Sequence, residues 1–282
     1  MLTSHFPRSS AEVSRLGYGG AAIGLTDYLG RFDAIASRTA SVEAVGLAAD
    51  LGVTYFDTAP GYGNGLSEKI FGEALEGRAG VTIATKVKAE PAIDVRASLE
   101  ASLARLRRPR IDLLQIHAGS IDRATCGAIL GPGGMAEQMR RLRDEGLVAA
   151  IGFTSEDNNA AVYDLIEHGG FDSMQIAYNL LLQHPYEPTR PFGSLFAAKE
   201  MGMFTVAMRT LTSSIFQRWV RMVNPADAFD YTPALIQFVL SNRMIDVALV
   251  GMRTPDDVRS NVKTWRDVAG RIDVETLWER YT

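Results

Sequence analysis

Short apolar or β-branched runs alternate with longer segments of helical period along most of the chain. This alternation is typical of strands and crossover helices around a parallel sheet. The predicted strands are Leu16–Gly19, Thr54–Asp57, Thr82–Lys86, Leu113–His117, Ala149–Phe153, Ser173–Ala177, Phe204–Met208 and Asp246–Val250. Eight strands in one alternating series favour a fold of the α/β class, a (β/α)8 TIM barrel, over an open doubly wound sheet.

The segments between the strands carry helix signals of their own. Ser41 is a good N-cap for the helix that follows it, and Gly52 stands where that helix should end. Two later segments place apolar residues on one helical face, which predicts packing against a barrel. These residues are Val95, Leu99, Leu103 and Leu106 in one segment and Val258, Val262, Trp265 and Val268 in the other.

No Gly/Ser-rich or Pro-rich linker divides the 282 residues, of which 46% are hydrophobic. We therefore expect a single barrel domain over residues 1–282. Two segments are too long for simple turns, Gly24–Ala40 and Arg209–Tyr231. In a barrel both would follow the carboxyl ends of strands, where substrate sites are built.

Charge and cysteine content restrict the partners and the compartment. The chain has 29 Lys and Arg against 33 Asp and Glu, a net charge of -4, which argues against nucleic acid and anionic membranes as partners. The single cysteine, Cys126, suits a reducing compartment. Because no apolar leader and no stretch of roughly 18 apolar residues is present, we expect a soluble, unprocessed cytoplasmic protein.

Four polar residues lie at or just after the carboxyl ends of predicted strands: Asp57, Tyr62, Lys86 and His117. Each could be structural when taken alone, as a turn cap, a loop aromatic, a solvated charge or a satisfied buried histidine. In a barrel, however, the carboxyl ends of the strands converge, so these side chains are expected to share one pocket.

The segments that carry these residues resemble the aldo-keto reductase family. YFDTAPGYGNGLSEKIFGEAL at 55–75, TIATKV at 82–87 and DLLQIH at 112–117 are similar to three segments of that family, and AAIGFTSED, MQIAYNLL and VGMRTPDDVRSN follow in the family order. The resemblance covers nearly the whole chain. It implies that Asp57, Tyr62, Lys86 and His117 form a catalytic tetrad that supports NAD(P)-dependent reduction of carbonyls or oxidation of alcohols.

The residue types suit that chemistry. Hydride reduction of a carbonyl needs a proton donor for the developing alkoxide, and the phenol of Tyr62 can supply it. The Lys86 ammonium is expected to lower the pKa of that phenol, and the Asp57 carboxylate would hold Lys86 charged and oriented. His117 could fix the substrate oxygen or take part in proton transfer.

The resemblance also implies where the cofactor binds, since no GxGxxG fingerprint supports a Rossmann site. Thr154, Ser155 and Gln175 would hold the nicotinamide carboxamide. The adenosine end would lie at Gly251, Arg253 and Asn261, where a helix N-terminus favours a phosphate.

Two positions depart from the family pattern. Asp257 stands where many members carry a basic residue for the 2′-phosphate of NADP, although Arg253 could compensate. NADP(H) is therefore only slightly favoured, and NAD(H) is the alternative. No tyrosine aligns after the seventh strand to stack under the nicotinamide, so Met208 or Arg209 would fill that place.

The substrate is expected to be a small aldehyde, ketone or sugar. Four aromatic residues of the two long segments are candidates for the pocket wall: Tyr28, Phe32, Phe216 and Trp219. The sequence does not indicate an oligomeric state.

Two other classes of function are alternatives to a reductase. One is a cofactor-binding regulatory barrel with little turnover, like the family's potassium-channel β subunits. The other is a metal-dependent hydrolase, but the four histidines, His5, His117, His168 and His184, lack ligand-like spacing, so we expect no metal ion.

Overall fold

The computed structural model describes residues 1–90, 92–188, 192–274 and 276, and its strands form a hairpin and a closed barrel. The hairpin consists of β1 (Thr3–His5) and β2 (Glu12–Ser14). The barrel strands are β3 (Leu16–Gly19), β4 (Tyr55–Asp57), β5 (Thr82–Lys88), β6 (Ile111–His117), β7 (Val148–Ser155), β8 (Ser173–Ala177), β9 (Phe204–Met208) and β10 (Val247–Val250). Every neighbouring pair is parallel, and β10 closes the barrel by pairing with β3.

Helices connect these strands, as the predicted (β/α)8 barrel requires. Asp94, Asp122 and Asn159 cap three of them by accepting a hydrogen bond from a first-turn amide. The helices are α1 (Ala21–Gly24), α2 (Arg38–Asp50), α3 (Leu66–Ala74), α4 (Val95–Leu106), α5 (Arg123–Leu130), α6 (Met135–Asp144), α7 (Ala160–His168), α8 (Ser194–Glu200), α9 (Ile215–Val223), α10 (Thr232–Ser241) and α11 (Pro255–Arg266), with a 3-10 turn at Thr212–Ser214.

All eight predicted strands are present, and each end lies within two residues of its predicted position. Two helix predictions were wrong in detail. Ser41 does not cap α2, because the helix already begins at Arg38 and Ser41 lies buried inside it. Val268 does not extend the apolar face of α11, because that helix ends at Arg266 and Val268 is 44% exposed. Gly52 does follow the end of α2, with a φ of +88° that favours glycine.

The two ends of the barrel differ in chemistry. At the amino end, Phe6 and Val13 of the hairpin pack against Tyr55, Leu113 and Phe204 from the barrel interior. At the carboxyl end the inward-facing positions become polar, so that end is the part of the barrel suited to a site. Within the described residues, no helix has both the length and the apolar character needed to cross a bilayer.

Candidate active site

A cavity of about 640 Å³ opens at the carboxyl ends of the barrel strands. Its wall includes Asp57, Tyr62, Lys86 and His117, which come from β4, the loop after it, β5 and β6. Residues separated by 60 positions therefore share one pocket because the parallel strands end on the same side of the barrel.

Lys86 and Asp57 form a buried ion pair. Lys86 Nζ donates to Asp57 Oδ1 at 2.6 Å and to the carbonyl oxygen of Thr58 at 2.8 Å, and the two charged side chains are only 1% and 3% exposed. Burial raises the pKa of Asp57 against the pull of Lys86. Burial lowers the pKa of Lys86, but Asp57 and Tyr62 raise it by more, so the ammonium is retained.

Tyr62 lies in the loop between β4 and α3, beside both Lys86 and His117. The Lys86 Nζ is 5.0 Å from the centroid of the phenol ring, and the His117 ring packs edge-on at 5.6 Å. Gly63 lets this loop approach α1 closely, since a Cβ there would lie 1.9 Å from the carbonyl oxygen of Gly24. The backbone thus holds Tyr62 at the cavity wall.

Lys86 lowers the pKa of Tyr62, as expected, but the other effects on this phenol outweigh that interaction. Burial raises the pKa of the phenol, and Lys86 offsets this only in part, so the net shift is upward. Tyr62 is therefore protonated at neutral pH and can donate a proton. For His117, burial and the nearby Lys86 charge both act downward and lower its pKa to about 3, so the imidazole is neutral.

Of the three residues expected to hold a carboxamide, two reach the cavity. Gln175 and Thr154 line it, whereas Ser155 is buried and is not among its described lining residues. The Thr154 hydroxyl accepts from the amide of Ala118 and donates to the carbonyl of the same residue. The Gln175 Oε1 accepts from Gln115 Nε2, and the Gln175 Nε2 lies 3.9 Å from Met208 Sδ and also interacts with Asp57, whose pKa it lowers.

Gly251, Arg253 and Asn261 also line the cavity, from the loop after β10 and from α11. Arg253 stacks on Phe32, with its guanidinium carbon 4.4 Å from the ring centroid, and donates to the carbonyl oxygens of Ala22 and Tyr28. It thus joins the loop after β10 to the loop after β3.

Asp257 has a clear structural role at the start of α11. Its Oδ2 accepts from the backbone amides of Arg253 at 2.9 Å and Thr254 at 3.0 Å, and the Thr254 hydroxyl accepts from the amide of Asp257 in return. This capping box places a carboxylate at the helix N-terminus, beside the expected phosphate position.

The loop after β9 gives a mixed result. Met208 and Arg209 both line the cavity. The Arg209 guanidinium donates to Glu156, another lining residue, at 2.5 Å. The aromatic residues predicted for the pocket wall were correct only for Tyr28. Phe32 lies under Arg253, Phe216 packs on Tyr231, and Trp219 is 56% exposed. No residue of α9 is among the described lining residues of the cavity.

Sequence reasoning missed Gln115, which is fully buried beside the ion pair. Its Nε2 donates to Asp57 Oδ2 at 3.3 Å and to Gln175 Oε1 at 3.0 Å. A signal was present, since Gln115 lies two residues before His117 on one strand and must face the same side. Among the described residues no cluster of three or more His, Cys, Asp or Glu is placed to hold a metal ion.

Comparisons with known proteins agree with this geometry. A family model described as "Aldo/keto reductase family" matches residues 15–273. The chain is 28% identical to L-galactose dehydrogenase of Arabidopsis thaliana, over 95% of this chain and 89% of that protein, and 27% identical to the aldo-keto reductase YhdN of Bacillus subtilis, over 95% and 91%. A crystal structure of an aldo-keto reductase from Klebsiella pneumoniae in complex with NADPH shares the fold, with a TM-score of 0.74 at 21% identity over 99% of this chain and 94% of that one.

Proposed function

The chain belongs to the aldo/keto reductase family, and we propose that Tyr62 acts as the general acid and base of a carbonyl reduction or alcohol oxidation. The chain is an NAD(P)-dependent oxidoreductase. The observation that carries the proposal is the grouping of Asp57, Tyr62, Lys86 and His117 at one cavity wall.

The four side chains have complementary tasks in this proposal. Tyr62 is protonated, so in the reductive direction it donates its proton to the oxygen that becomes the alcohol. Lys86 stabilises the phenolate that remains, and Asp57 holds Lys86 in place through the 2.6 Å contact. The neutral His117 imidazole can hydrogen-bond the substrate oxygen without adding a charge.

The wall of the cavity also fits a nicotinamide cofactor, which supplies or takes up the hydride when bound. The Gln175 Nε2 interacts with Asp57 and has a distant contact with Met208 Sδ, and because an amide nitrogen carries two hydrogens, one of them can donate to a carboxamide oxygen. Gly251, Arg253 and Asn261 would hold the adenosine end. We propose NADP(H) before NAD(H), because Arg253 lines this region and the Klebsiella relative of the same fold binds NADPH.

The proposed substrate is a small aldehyde, ketone or sugar. The mouth of the cavity carries Asp230 and Thr232 besides the Arg209–Glu156 ion pair, which suits a substrate with hydroxyl groups. A relative named L-galactose dehydrogenase supports including sugars, used in the direction of oxidation.

The proton-transfer role is tested with Tyr62→Phe and Lys86→Met. Both are expected to slow single-turnover oxidation of NADPH by an aldehyde by about 100-fold or more, because each removes help to the proton in the transition state. The dissociation constant of NADPH, from fluorescence titration, should change by less than about threefold, because neither substitution removes a proposed cofactor contact.

Tyr163→Phe, on α7 outside the cavity, serves as the matched control and should keep the parental rate. Parental turnover by Tyr62→Phe would refute the proposal. NADPH binding with no turnover of any aldehyde, ketone or sugar by the parent protein would favour a regulatory, cofactor-binding role instead.

A further inference from the structure

Gln115 lies on β6 between the ion pair and the proposed nicotinamide site. In the barrel register it is paired with Lys86 on β5 and with Gly152 on β7. The amide of Gln115 reaches past β7 to Gln175 on β8, where the Nε2 to Oε1 distance is 3.0 Å.

The orientation of both amides follows from the chemistry of Asp57. An ionised carboxylate only accepts hydrogen bonds, so Gln115 must turn its Nε2 towards Asp57 Oδ2. The same Nε2 meets Gln175, which must therefore present its oxygen to Gln115. Gln175 then turns its own Nε2 towards Asp57 and Met208, which both line the cavity.

We propose that Gln115 is a positioning residue that fixes the amide of Gln175 with its N–H groups towards the cavity, where they donate to the carboxamide oxygen of a bound nicotinamide. This inference rests on the proposed function. In this proposal the charge of Asp57 sets the orientation of Gln115, Gln115 sets that of Gln175, and Gln175 sets the orientation in which the cofactor's carboxamide binds.

Gln115→Glu reverses this arrangement at nearly constant volume. A protonated glutamic acid has one hydrogen to donate, and it would donate this hydrogen to the neighbouring Asp57 carboxylate. Towards Gln175, residue 115 would then offer only an oxygen that accepts a hydrogen bond. The Gln175 amide should then turn over and present its oxygen to the cavity. NADP⁺ can respond by rotating its carboxamide. The 3-acetylpyridine analogue of NADP⁺ cannot, because it keeps the carbonyl oxygen but has no N–H.

The experiment measures dissociation constants of NADP⁺ and of the 3-acetylpyridine analogue by calorimetry, without turnover. The parent should bind the two compounds with dissociation constants within about threefold of each other. In Gln115→Glu the ratio of the analogue's dissociation constant to that of NADP⁺ should rise about fivefold or more, because one hydrogen bond to the analogue is left unmatched. A ratio unchanged from the parent would overturn the inference.

Two further variants separate positioning from general damage. Gln237→Glu makes the same change on α10, where the amide donates to the carbonyls of Thr264 and Asp267, and should leave the ratio unchanged. Gln115→Met removes both donors, so NADP⁺ should bind about threefold or more weakly with a near-parental ratio. If Gln115→Met bound NADP⁺ like the parent, or Gln237→Glu shifted the ratio as Gln115→Glu does, the inference would fail.

The proposed function can fail separately. A parent protein that binds NADP⁺ but reduces no carbonyl refutes the role of Tyr62, and the ratio in Gln115→Glu still decides the role of Gln115. A parent protein that binds no nicotinamide dinucleotide refutes both.

Discussion

At the scale of single residues, burial decides the protonation states in this site. Tyr62 and His117 stand beside the same ammonium, Lys86, yet the balance differs. For a phenol, burial raises the pKa and the positive charge lowers it, so the two effects oppose each other. For an imidazole both effects lower the pKa, and the sum reaches about 3. One cation thus leaves a protonated phenol next to a neutral imidazole.

The depressed pKa of His117 predicts a specific dependence of stability on pH. Below pH 6.5 the imidazole is protonated in the unfolded chain, whereas in the native protein it stays neutral down to about pH 3. The free energy of unfolding therefore falls as the pH falls from 6.5 towards 3. Between pH 6.5 and 4.5 this group should account for about 2 kcal/mol. Urea denaturation should show a correspondingly shallower slope for His117→Gln than for the parent.

His168→Gln is the control, because its imidazole is 68% exposed at the end of α7 and stays in solvent on folding. It should keep the parental slope against pH. Equal slopes for the parent and His117→Gln would show that native His117 takes up its proton over the same pH range as the unfolded residue, contrary to the lowered pKa.

At the scale of elements, the N-terminus of α11 serves two competing partners. Its positive dipole end attracts a phosphate, but Asp257 already occupies it through hydrogen bonds to the amides of Arg253 and Thr254. A carboxylate at this point stabilises the helix and repels a second anion. The same residue thus links the stability of α11 to the choice between NADP(H) and NAD(H).

Asp257→Ser is therefore expected to strengthen NADP⁺ binding by about threefold to tenfold and to change NAD⁺ binding little, because only NADP⁺ brings the 2′-phosphate. The loss of the capping carboxylate should lower the free energy of unfolding by about 1 kcal/mol. Titration with both cofactors and denaturant unfolding measure the two effects.

The control Asp94→Ser changes a helix cap outside the described cavity wall and should leave both affinities unchanged. An unaltered ratio of the two affinities in Asp257→Ser would exclude electrostatic control by Asp257.

At the scale of the whole molecule, the barrel separates stability from chemistry. The amino end is filled with apolar side chains and closed by the hairpin, whose Phe6 packs edge-on against Phe204 at 5.6 Å. The carboxyl end contains the buried ion pair and the cavity. Substitutions at the two ends should therefore have different consequences.

Phe6→Ala is expected to lower the free energy of unfolding by about 3 kcal/mol, since it empties a buried site, and to leave the NADP⁺ dissociation constant within about twofold of the parent. Denaturant unfolding and calorimetric titration check the two statements. Phe229→Ala removes a ring that is 65% exposed and should cost less than about 0.5 kcal/mol. A large loss of NADP⁺ affinity in Phe6→Ala would mean that the hairpin and the cavity are coupled.

The strands, their order and the polar residues at their ends could be predicted from the amino-acid sequence, because they depend on local periodicity and on residue type. Ser41 was misplaced as a cap because Ser37, Thr39 and Ser41 could each begin a helix, and only packing selects where α2 starts. The apolar stripe failed at Val268 for a similar reason, since α11 ends where the chain leaves the barrel surface.

Which side chains come into contact could not be predicted from local patterns, because it depends on the folded barrel. Gln115 contacts Asp57 and Gln175 because barrel closure sets the register of β4, β6 and β8. That register cannot be predicted from the number of residues between the strands. The direction of the pKa shift at Tyr62 depends on burial, which arises from contacts between distant segments. Local residue patterns therefore predicted the (β/α)8 barrel, while the orientation of its amides and the protonation of its phenol followed from the folded packing.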